Sequence, residues 1–417
     1  MIVYKFGGAS VKDANGVKNL AEIVKKSDND LVIVVSAMGK TTNALEEIVK
    51  LSFSDLDECR KKIDLLYNHH LQICKALFPD NSNSIYKNLK DDFSVIYSLI
   101  LDSTLNQFDL RYDQIVSCGE IFSTRIVSSY LNFIGFNNTF VDIREVFVTD
   151  STYREAKLNL ELSSLNAVSV FNFLKSKIYL TQGFIGRSTN GLSTTLGREG
   201  SDYTAAILAN FLDAEKMVVW KDVEGVLNAD PQYFKDPQRL NKISYQEAVE
   251  LAYFGAKVIH PKTIKPLHNK NIHLHVKSFI NPEGPGTTIQ DYKEYDQDLP
   301  IYILKKDQML ISLFPKDLSF VIEDGLSEIF QYLSQHRVKV NLIQNSAISI
   351  SLCIDNSYVR ISELLDHLQK EYKVLYNENL ELLTIRHYSE SDVQKLTAGR
   401  KIFIEQRSRH TAHFVIK

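Results

Sequence analysis

Arg198, Ser201 and Asp202 put a cation, a hydroxyl and a carboxylate within one short segment, Leu196-Gly197-Arg198-Glu199-Gly200-Ser201-Asp202. A polar stretch, Arg187 to Thr195, precedes it, and an apolar run beginning Tyr203-Thr204-Ala205-Ala206 follows. That order reads as a loop feeding a helix whose first turn holds Ser201 and Asp202. A helix start offers unpaired N–H groups and the positive end of the macrodipole, which favour anionic ligands. The competing reading is a plain surface helix with Ser201 or Asp202 as its N-cap.

Five further segments suit the same chemistry. Lys5 with Gly7-Gly8-Ala9-Ser10 makes a glycine turn beside a charge, where backbone can approach a phosphate closely. It is neither a Walker A loop nor a Rossmann fingerprint. Ser36-Ala37-Met38-Gly39-Lys40-Thr41-Thr42 is a small-residue loop rich in hydroxyls, or a helix start. Ser117-Cys118-Gly119-Glu120 reads as a carboxylate at the start of another helix, a placement the macrodipole alone would explain. Trp220-Lys221-Asp222-Val223-Glu224-Gly225-Val226 could hold a ribose or form a simple turn, and Gly255-Ala256-Lys257-Val258-Ile259-His260-Pro261 carries a lysine in apolar surroundings. His260, before a proline, reads as structural.

The elements that must position these groups alternate strand and helix. Ile2 to Phe6, Asp30 to Ser36, Gln114 to Ser117, Phe140 to Asp142, Ile178 to Thr181 and Met217 to Trp220 read as strands. Val17 to Lys26, Asp55 to Phe78, Ile85 to Phe108 and Ile121 to Leu131 read as helices. This βαβα order implies a mostly parallel sheet covered by helices, with ligands at the carboxyl ends of the strands. Gly7, Ser36, Ser117 and Trp220 are expected at those ends.

Composition shifts at Asn281-Pro282-Glu283-Gly284-Pro285-Gly286, whose prolines and glycines read as a domain edge. Beyond it, a strand at Met309 to Phe314 and a helix at Gly325 to His336 lead into a hairpin at Asn341 to Leu352. A helix at Ile361 to Tyr372 and a strand at Glu381 to Ile385 complete a ferredoxin-like β-α-β-β-α-β order. Two more strand-like runs follow, Lys401 to Glu405 and His413 to Ile416.

The 417 residues predict two or three domains. A net charge of −3 without a basic run argues against nucleic acid. No apolar stretch approaches the roughly 20 residues that span a bilayer, so no membrane partner is expected. The four cysteines form no CxxC pair, which fits reduced thiols in a cytoplasmic protein. Met1 leads directly into a strand-like run, without a secretory signal pattern.

In order along the chain, these segments resemble those of aspartate kinases, in the amino acid kinase superfamily, and four carry its motifs. Lys5-Phe6-Gly7-Gly8-Ala9-Ser10-Val11 is similar to the family's KFGGTSV opening, and Thr194 to Asp202 to its TTLGRGGSD signature. Trp220 to Val226 resembles WxDVxGV, and Ala256 to Pro261 resembles AKVxHP. Ala9 stands where the family has Thr, and Glu199 where it has Gly. The resemblance implies an α/β three-layer fold of the carbamate-kinase-like kind with a mostly parallel sheet, over residues 1–293. It also implies a ferredoxin-like ACT regulatory region over 300–417. The stretch from Ser389 to Lys401 looks too brief for a full helix-containing second ACT unit, so that unit is expected to be truncated.

By the same resemblance the reaction is ATP plus L-aspartate giving ADP plus 4-phospho-L-aspartate, the first step toward lysine, threonine and methionine. Lys5 and Lys257 would contact the ATP phosphates, and Gly7, Gly8 and Ser36 would supply donors. Asp222 would lie by the ribose, and Asp202 would orient Lys5. Arg198 would pair with a substrate carboxylate and Glu120 with its ammonium, with Thr41 and Ser201 as hydrogen-bond donors to aspartate. Mg²⁺ would be held by phosphates and water, so no protein metal ligand is named. A homodimer joined through the ACT region is expected. Feedback by lysine or threonine would act near Phe314 to Leu326 and Asn341 to Ser346. Because Asn341 and Asn345 are neutral, weak or absent lysine inhibition is expected, with threonine better suited. Two alternatives remain: another kinase of the superfamily, acting on glutamate, acetylglutamate, carbamate or a nucleoside monophosphate, or an inactive amino-acid sensor.

Overall fold

The computed structural model describes residues 1–80, 83–256, 259–292, 299–317, 325–356 and 358–417, apart from the side chains of 358–360. The chain divides into two compact units: Met1–Val226 with Arg239–Val249 and Ile259–Tyr295, and Leu227–Gln238 with Glu250–Val258 and Asp296–Lys417.

The first unit begins with β1 (Ile2–Phe6), α1 (Ala14–Lys25), β2 (Leu31–Val35), α2 (Thr41–Leu51), α3 (Leu56–Leu77), α4 (Ser84–Leu101) and α5 (Phe108–Phe133). It continues through β3 (Thr139–Val141), β4 (Val148–Thr149), α6 (Leu160–Val170), β5 (Ile178–Gln182), β6 (Ile185–Ser188), β7 (Ser193–Thr195), α7 (Gly200–Phe211) and β8 (Lys216–Lys221). The later elements are β9 (Lys242–Ser244), α8 (Tyr245–Phe254, which the division cuts after Val249), α9 (Pro261–His268), β10 (His273–Ser278) and β11 (Thr287–Gln290).

The main sheet has the order β3-β5-β2-β1-β8-β10-β11-β9. It is parallel except at β10/β11. The chain builds outward from β1 on one side and returns to β8 on the other. Its carboxyl edge at β1 and β8 is therefore the switch point where such sheets bind ligands. Strand β2 is wholly apolar because both faces are covered. Leu31, Ile33 and Val35 join one core with Leu20, Leu45, Ile63, Ile96 and Phe122, while Val32 and Val34 are buried on the other face. Helix α7 packs against β1, β2 and β8. A small sheet, β4-β6-β7, carries the chain toward α7.

Two sequence expectations need correction here. Gln114 to Ser117 is not a strand but part of α5, which runs unbroken to Phe133. Ser117 thus lies inside a helix rather than at a strand end. Helix α5 is buried nearly all round, so it lacks the amphipathic period that marks a surface helix. The helix expected from Ile85 stops at Leu101, before Asp102, whose side chain accepts from Thr104 N at 2.8 Å.

The second unit holds β12 (Ile301–Pro315), α10 (Leu326–Gln335), β13 (Val340–Ser346), β14 (Ser349–Asp355), α11 (Tyr358–Glu371), β15 (Tyr372–Arg386), α12 (Glu390–Thr397), β16 (Ile402–Arg407) and β17 (Thr411–Ile416). These strands form one antiparallel sheet, β13-β14-β12-β15-β17-β16. The β12-α10-β13-β14-α11-β15 run has the ferredoxin-like order read from the sequence, with β12 between β14 and β15. Strands β12 and β15 are long enough to serve twice. Leu310 to Pro315 pairs with Tyr372 to Asn377, and Ile301 to Lys305 pairs with Leu382 to Arg386. Bulges between Lys305 and Leu310 separate the two halves. The Ser389 to Lys401 stretch, expected to be too brief for a full helix-containing second ACT unit, holds the eight-residue α12. A reciprocal capping box between Ser389 and Asp392 starts it.

Candidate functional site

Strand parity decides which side chains meet at the switch point. Phe6 and Trp220 point into the core of α1 to α5, so Lys5 and Lys221 point to the face covered by α7. There Lys5 Nζ lies 2.6 Å from Asp202 Oδ1, and Lys221 Nζ lies 3.6 Å from Asp202 Oδ2. Asp202 is only 1% exposed. Burial alone would raise its pKa, but the two ammonium groups outweigh burial and hold it below the ordinary carboxylate value. Two cations on one buried carboxylate leave a net positive charge. The first turn of α7, which contains Asp202, adds the positive end of a helix beside it.

Two glycine contacts bring the loops together. A Cβ on Gly8 would lie 2.4 Å from Ala37 O, and Gly39 N donates to Gly8 O at 2.9 Å. The loops after β1 and β2 therefore touch backbone to backbone. Ser10 Oγ donates to Trp220 O at 3.5 Å, tying the first loop to β8. Ser36 begins the second loop, and its carbonyl accepts from Ser123 Oγ of α5 at 2.6 Å.

Glu120 lies in the interior of α5, not at a helix start. It is 3% exposed, and its Oε2 accepts from Ala37 N at 3.0 Å. Burial pushes its pKa up to about 8, against the opposing pull of the Ala37 bond and the Lys5 charge. Gly119 permits this approach, since a Cβ there would strike Leu45 Cδ1 at 2.8 Å and Thr41 Cγ2 at 3.0 Å. Thr41, the first residue of α2, is buried and donates to Met38 O at 2.6 Å. Its hydroxyl also lies 3.4 Å from His70 Nε2. His70 is fully buried, and burial lowers its pKa to about 4, so the ring is neutral. Its Nδ1 donates to Leu66 O at 2.9 Å, which leaves Nε2 an acceptor that competes with the nearer Met38 O for the single Thr41 hydroxyl proton.

Arg198 sits exposed on the loop between β7 and α7, with Gly197 at φ 77°. Glu199 adopts φ 55°, ψ 25° and precedes α7 with no side-chain capping bond. Ser201 and Asp202 lie inside the first turn, so neither is the N-cap weighed for them. The left-handed backbone at Glu199 accounts for the family's glycine at this position. Ser201 packs on Gly183, where a Cβ would lie 2.5 Å from Ser201 Cβ. Asp222 follows β8 and is exposed. Lys257 lies outside the described residues. His260 caps α9, its Nδ1 accepting from Lys262 N at 3.2 Å, which suits the structural reading.

Sequence reading passed over three groups. Lys221 stood inside a quoted motif but drew no role. His70 carried no motif. Asp113 sits in the first part of α5, in a buried run whose other members are mostly apolar. In the second unit, Asn341 is engaged rather than open. Its Oδ1 accepts from Lys305 Nζ at 2.8 Å, and its Nδ2 donates to Gln308 Oε1 at 2.8 Å and Asp355 Oδ1 at 2.7 Å. Most of Phe314 to Leu326, the other part of the expected effector region, lies outside the described residues.

A parallel sheet whose switch point carries touching glycine loops, a carboxylate-held lysine and a helix start has the form of a site for phosphoryl transfer. The chain belongs to the amino acid kinase family, whose pattern matches residues 1–278, and within it to the aspartokinases. It is 32% identical over 360 residues to the lysine-sensitive aspartokinase 3 of Escherichia coli K12, covering 86% of this chain and 79% of that protein. It is 31% identical over 393 residues to the chloroplastic aspartokinase 1 of Arabidopsis thaliana, covering 91% of this chain and 68% of that one. Its structure matches E. coli aspartokinase III in complex with aspartate and ADP (R-state), with a TM-score of 0.86 and 28% identity over 100% of this chain and 96% of that chain. The same enzyme in complex with lysine and aspartate (T-state) matches with a TM-score of 0.82, over 100% of this chain and 95% of that one.

Proposed function

We propose that the chain transfers the γ-phosphoryl group of ATP to the side-chain carboxylate of L-aspartate, giving ADP and 4-phospho-L-aspartate. The observation that carries this reading is the buried Lys5–Asp202–Lys221 cluster at the carboxyl edge of β1 and β8. Glu120 and Thr41 lie at the neighbouring loop. The aspartate carboxylate has a reference pKa near 3.9 and is already ionised at neutral pH. It needs no general base, so catalysis rests on positioning and on neutralising charge.

Lys5, held by Asp202, meets the phosphoryl group in transfer. Gly7, Gly8 and Ser36 offer close donors to the phosphates, and Asp222 lies toward the ribose. Lys257 is assigned to the ATP phosphates by its motif alone. Arg198 pairs with a carboxylate of aspartate and Glu120 with its ammonium, while Ser201 donates a hydrogen bond to it and Thr41 does so by turning its hydroxyl away from Met38 O. Mg²⁺ suits this donor set as an ion carried on the ATP phosphates and water. Asp202, the carboxylate in the cluster, is already engaged by two ammonium groups. Its chemistry would be charge neutralisation on the phosphates.

Residues 1–293 would form the catalytic domain and 300–417 the ACT region, its second unit shortened. The sheet edges β13 and β16 favour a homodimer through that region. Sedimentation of the full chain at micromolar concentration should give a dimer, and a monomer would contradict the assignment. Activity is tested by hydroxylamine, which traps acyl phosphates as coloured hydroxamates. Colour should require ATP, Mg²⁺ and L-aspartate, with much less from L-glutamate or acetylglutamate. Folded protein that gives no colour with aspartate would refute the proposal.

A further inference from the structure

Asp113 is fully buried, yet four contacts from two different segments converge on its carboxylate. Thr195 N donates to Oδ2 at 2.8 Å and Thr195 Oγ1 to Oδ1 at 2.8 Å. Arg154 N reaches both oxygens, at 3.2 and 3.1 Å. The next residue repeats the pattern. Gln114 Nε2 donates to Ser193 O at 2.8 Å, and Gln114 Oε1 accepts from Ser193 N at 3.0 Å. Side chains of α5 thus replace a neighbouring strand along β7.

The clamp ends three residues before Arg198. Ala156 N donates to Thr195 O at 2.9 Å, and a Cβ on Gly197 would lie 3.3 Å from Arg154 O. The Arg154–Ala156 segment, the end of β7 and the start of the Arg198 loop therefore share Asp113 as their common anchor. The same helix carries Glu120 seven residues on. That is about two turns, so the two carboxylates lie on one face of α5, roughly 10 Å apart along its axis. One grips the loop after β2 and the other grips β7. Burying a carboxylate is costly, and burial pushes Asp113 up to about 6 despite its donors. Plain packing would be served at lower cost by an apolar side chain.

We infer that Asp113 is a positioning residue for aspartate binding, using α5 as a ruler that fixes the Arg198 loop relative to Glu120. The inference rests on the assignment of Arg198 and Glu120 to the two ends of aspartate.

Asp113→Asn keeps the shape but turns an NH₂ group toward N–H donors. Thr195→Val keeps the carboxylate and removes a single donor. Arg198→Ala is the reference. Steady-state constants for aspartate and ATP, with thermal unfolding of each variant, form the test. Asp113→Asn should raise KM for aspartate about tenfold, since hydrogen bonds to a charged group are at stake. It should leave KM for ATP within about twofold. Thr195→Val should move KM for aspartate in the same direction by a smaller factor, and it keeps the test decisive if Asp113→Asn does not fold. In the Arg198→Ala background, Asp113→Asn should add little. If Arg198→Ala raises KM for aspartate while neither clamp variant does, the positioning role is overturned and the substrate assignment stands. If Arg198→Ala leaves KM for aspartate unchanged, the substrate assignment itself fails. A clamp variant that lowers kcat and melting temperature with both KM values unmoved would show a purely structural carboxylate.

Discussion

Replacing Glu120 with glutamine isolates a single ionisation at the aspartate site. Glu120 is buried, and burial lifts its pKa to about 8. At pH 7 only about one molecule in ten then carries the ionised form, and ionising the rest costs about 1.4 kcal/mol. An ammonium partner needs the carboxylate, so apparent affinity scales with the ionised fraction. That fraction rises about eightfold from pH 7.0 to 8.5, so KM for aspartate should fall by about that factor. Asp113, near 6, titrates below this window. Aspartate binding at pH 7 should also release close to one proton, measurable by calorimetry in two buffers of different ionisation enthalpy. Glu120→Gln should abolish both effects and hold KM at or above the wild-type value at pH 7. The stability sign is fixed as well. The folded pKa is raised, so the folded state keeps a proton that the unfolded chain loses near 4.5. The stability this group contributes is therefore full below that pH and is lost as pH rises through about 8. Glu120→Gln should unfold in urea at pH 8 no more easily than wild type. A wild-type KM for aspartate that is flat from pH 7.0 to 8.5, or a variant that keeps the slope, would refute the ammonium assignment.

Lys5→Ala should lower kcat by about 10²–10³, the usual effect of losing a charge that acts in the transition state. It should also destabilise the fold by about 3 kcal/mol, because among the described residues Asp202 would keep Lys221 alone as a cationic partner, at 3.6 Å; an unchanged kcat at saturating ATP would remove Lys5 from the transfer step. Glu199→Gly should raise stability by up to about 1 kcal/mol, since φ 55° costs a side chain that glycine lacks, and a fall in melting temperature would show that Glu199 makes an offsetting contact. Lysine alone should inhibit weakly or not at all, with threonine more effective, because Asn341 is spent on Lys305, Gln308 and Asp355. Micromolar inhibition by lysine in steady-state assays would overturn that expectation.

Where burial was two-sided and the strand short, the sequence was enough to read it: Leu31–Val35 could be little other than a central parallel strand. The same two-sided burial hid α5. An apolar stretch interrupted by Ser117, Cys118 and Gly119 looks like a strand and a turn, because a helix covered on all sides shows no period of 3.6. Gly119 is there for the close approach of Thr41 and Leu45. Lys5 and Asp202 were legible as types within motifs. Their direct pairing depended on strand parity and on the first turn of α7, which spacing alone does not reveal. Asp113 and His70 escaped because each works through backbone or through another side chain, and a lone polar residue in a buried run gives no sign of its partner. The helix α12 was missed for a different reason: eight residues suffice when Ser389 and Asp392 cap the start.

The central claim is that phosphoryl transfer ends on the side-chain carboxylate of aspartate. Borohydride reduces an acyl phosphate to an alcohol and so records which carboxyl was activated. Full-length protein incubated with ATP, Mg²⁺ and L-aspartate, then quenched into borohydride, should yield homoserine in proportion to the ADP formed. ADP formation accompanied by 3-amino-4-hydroxybutyrate, or by no reduced amino acid, would contradict the account.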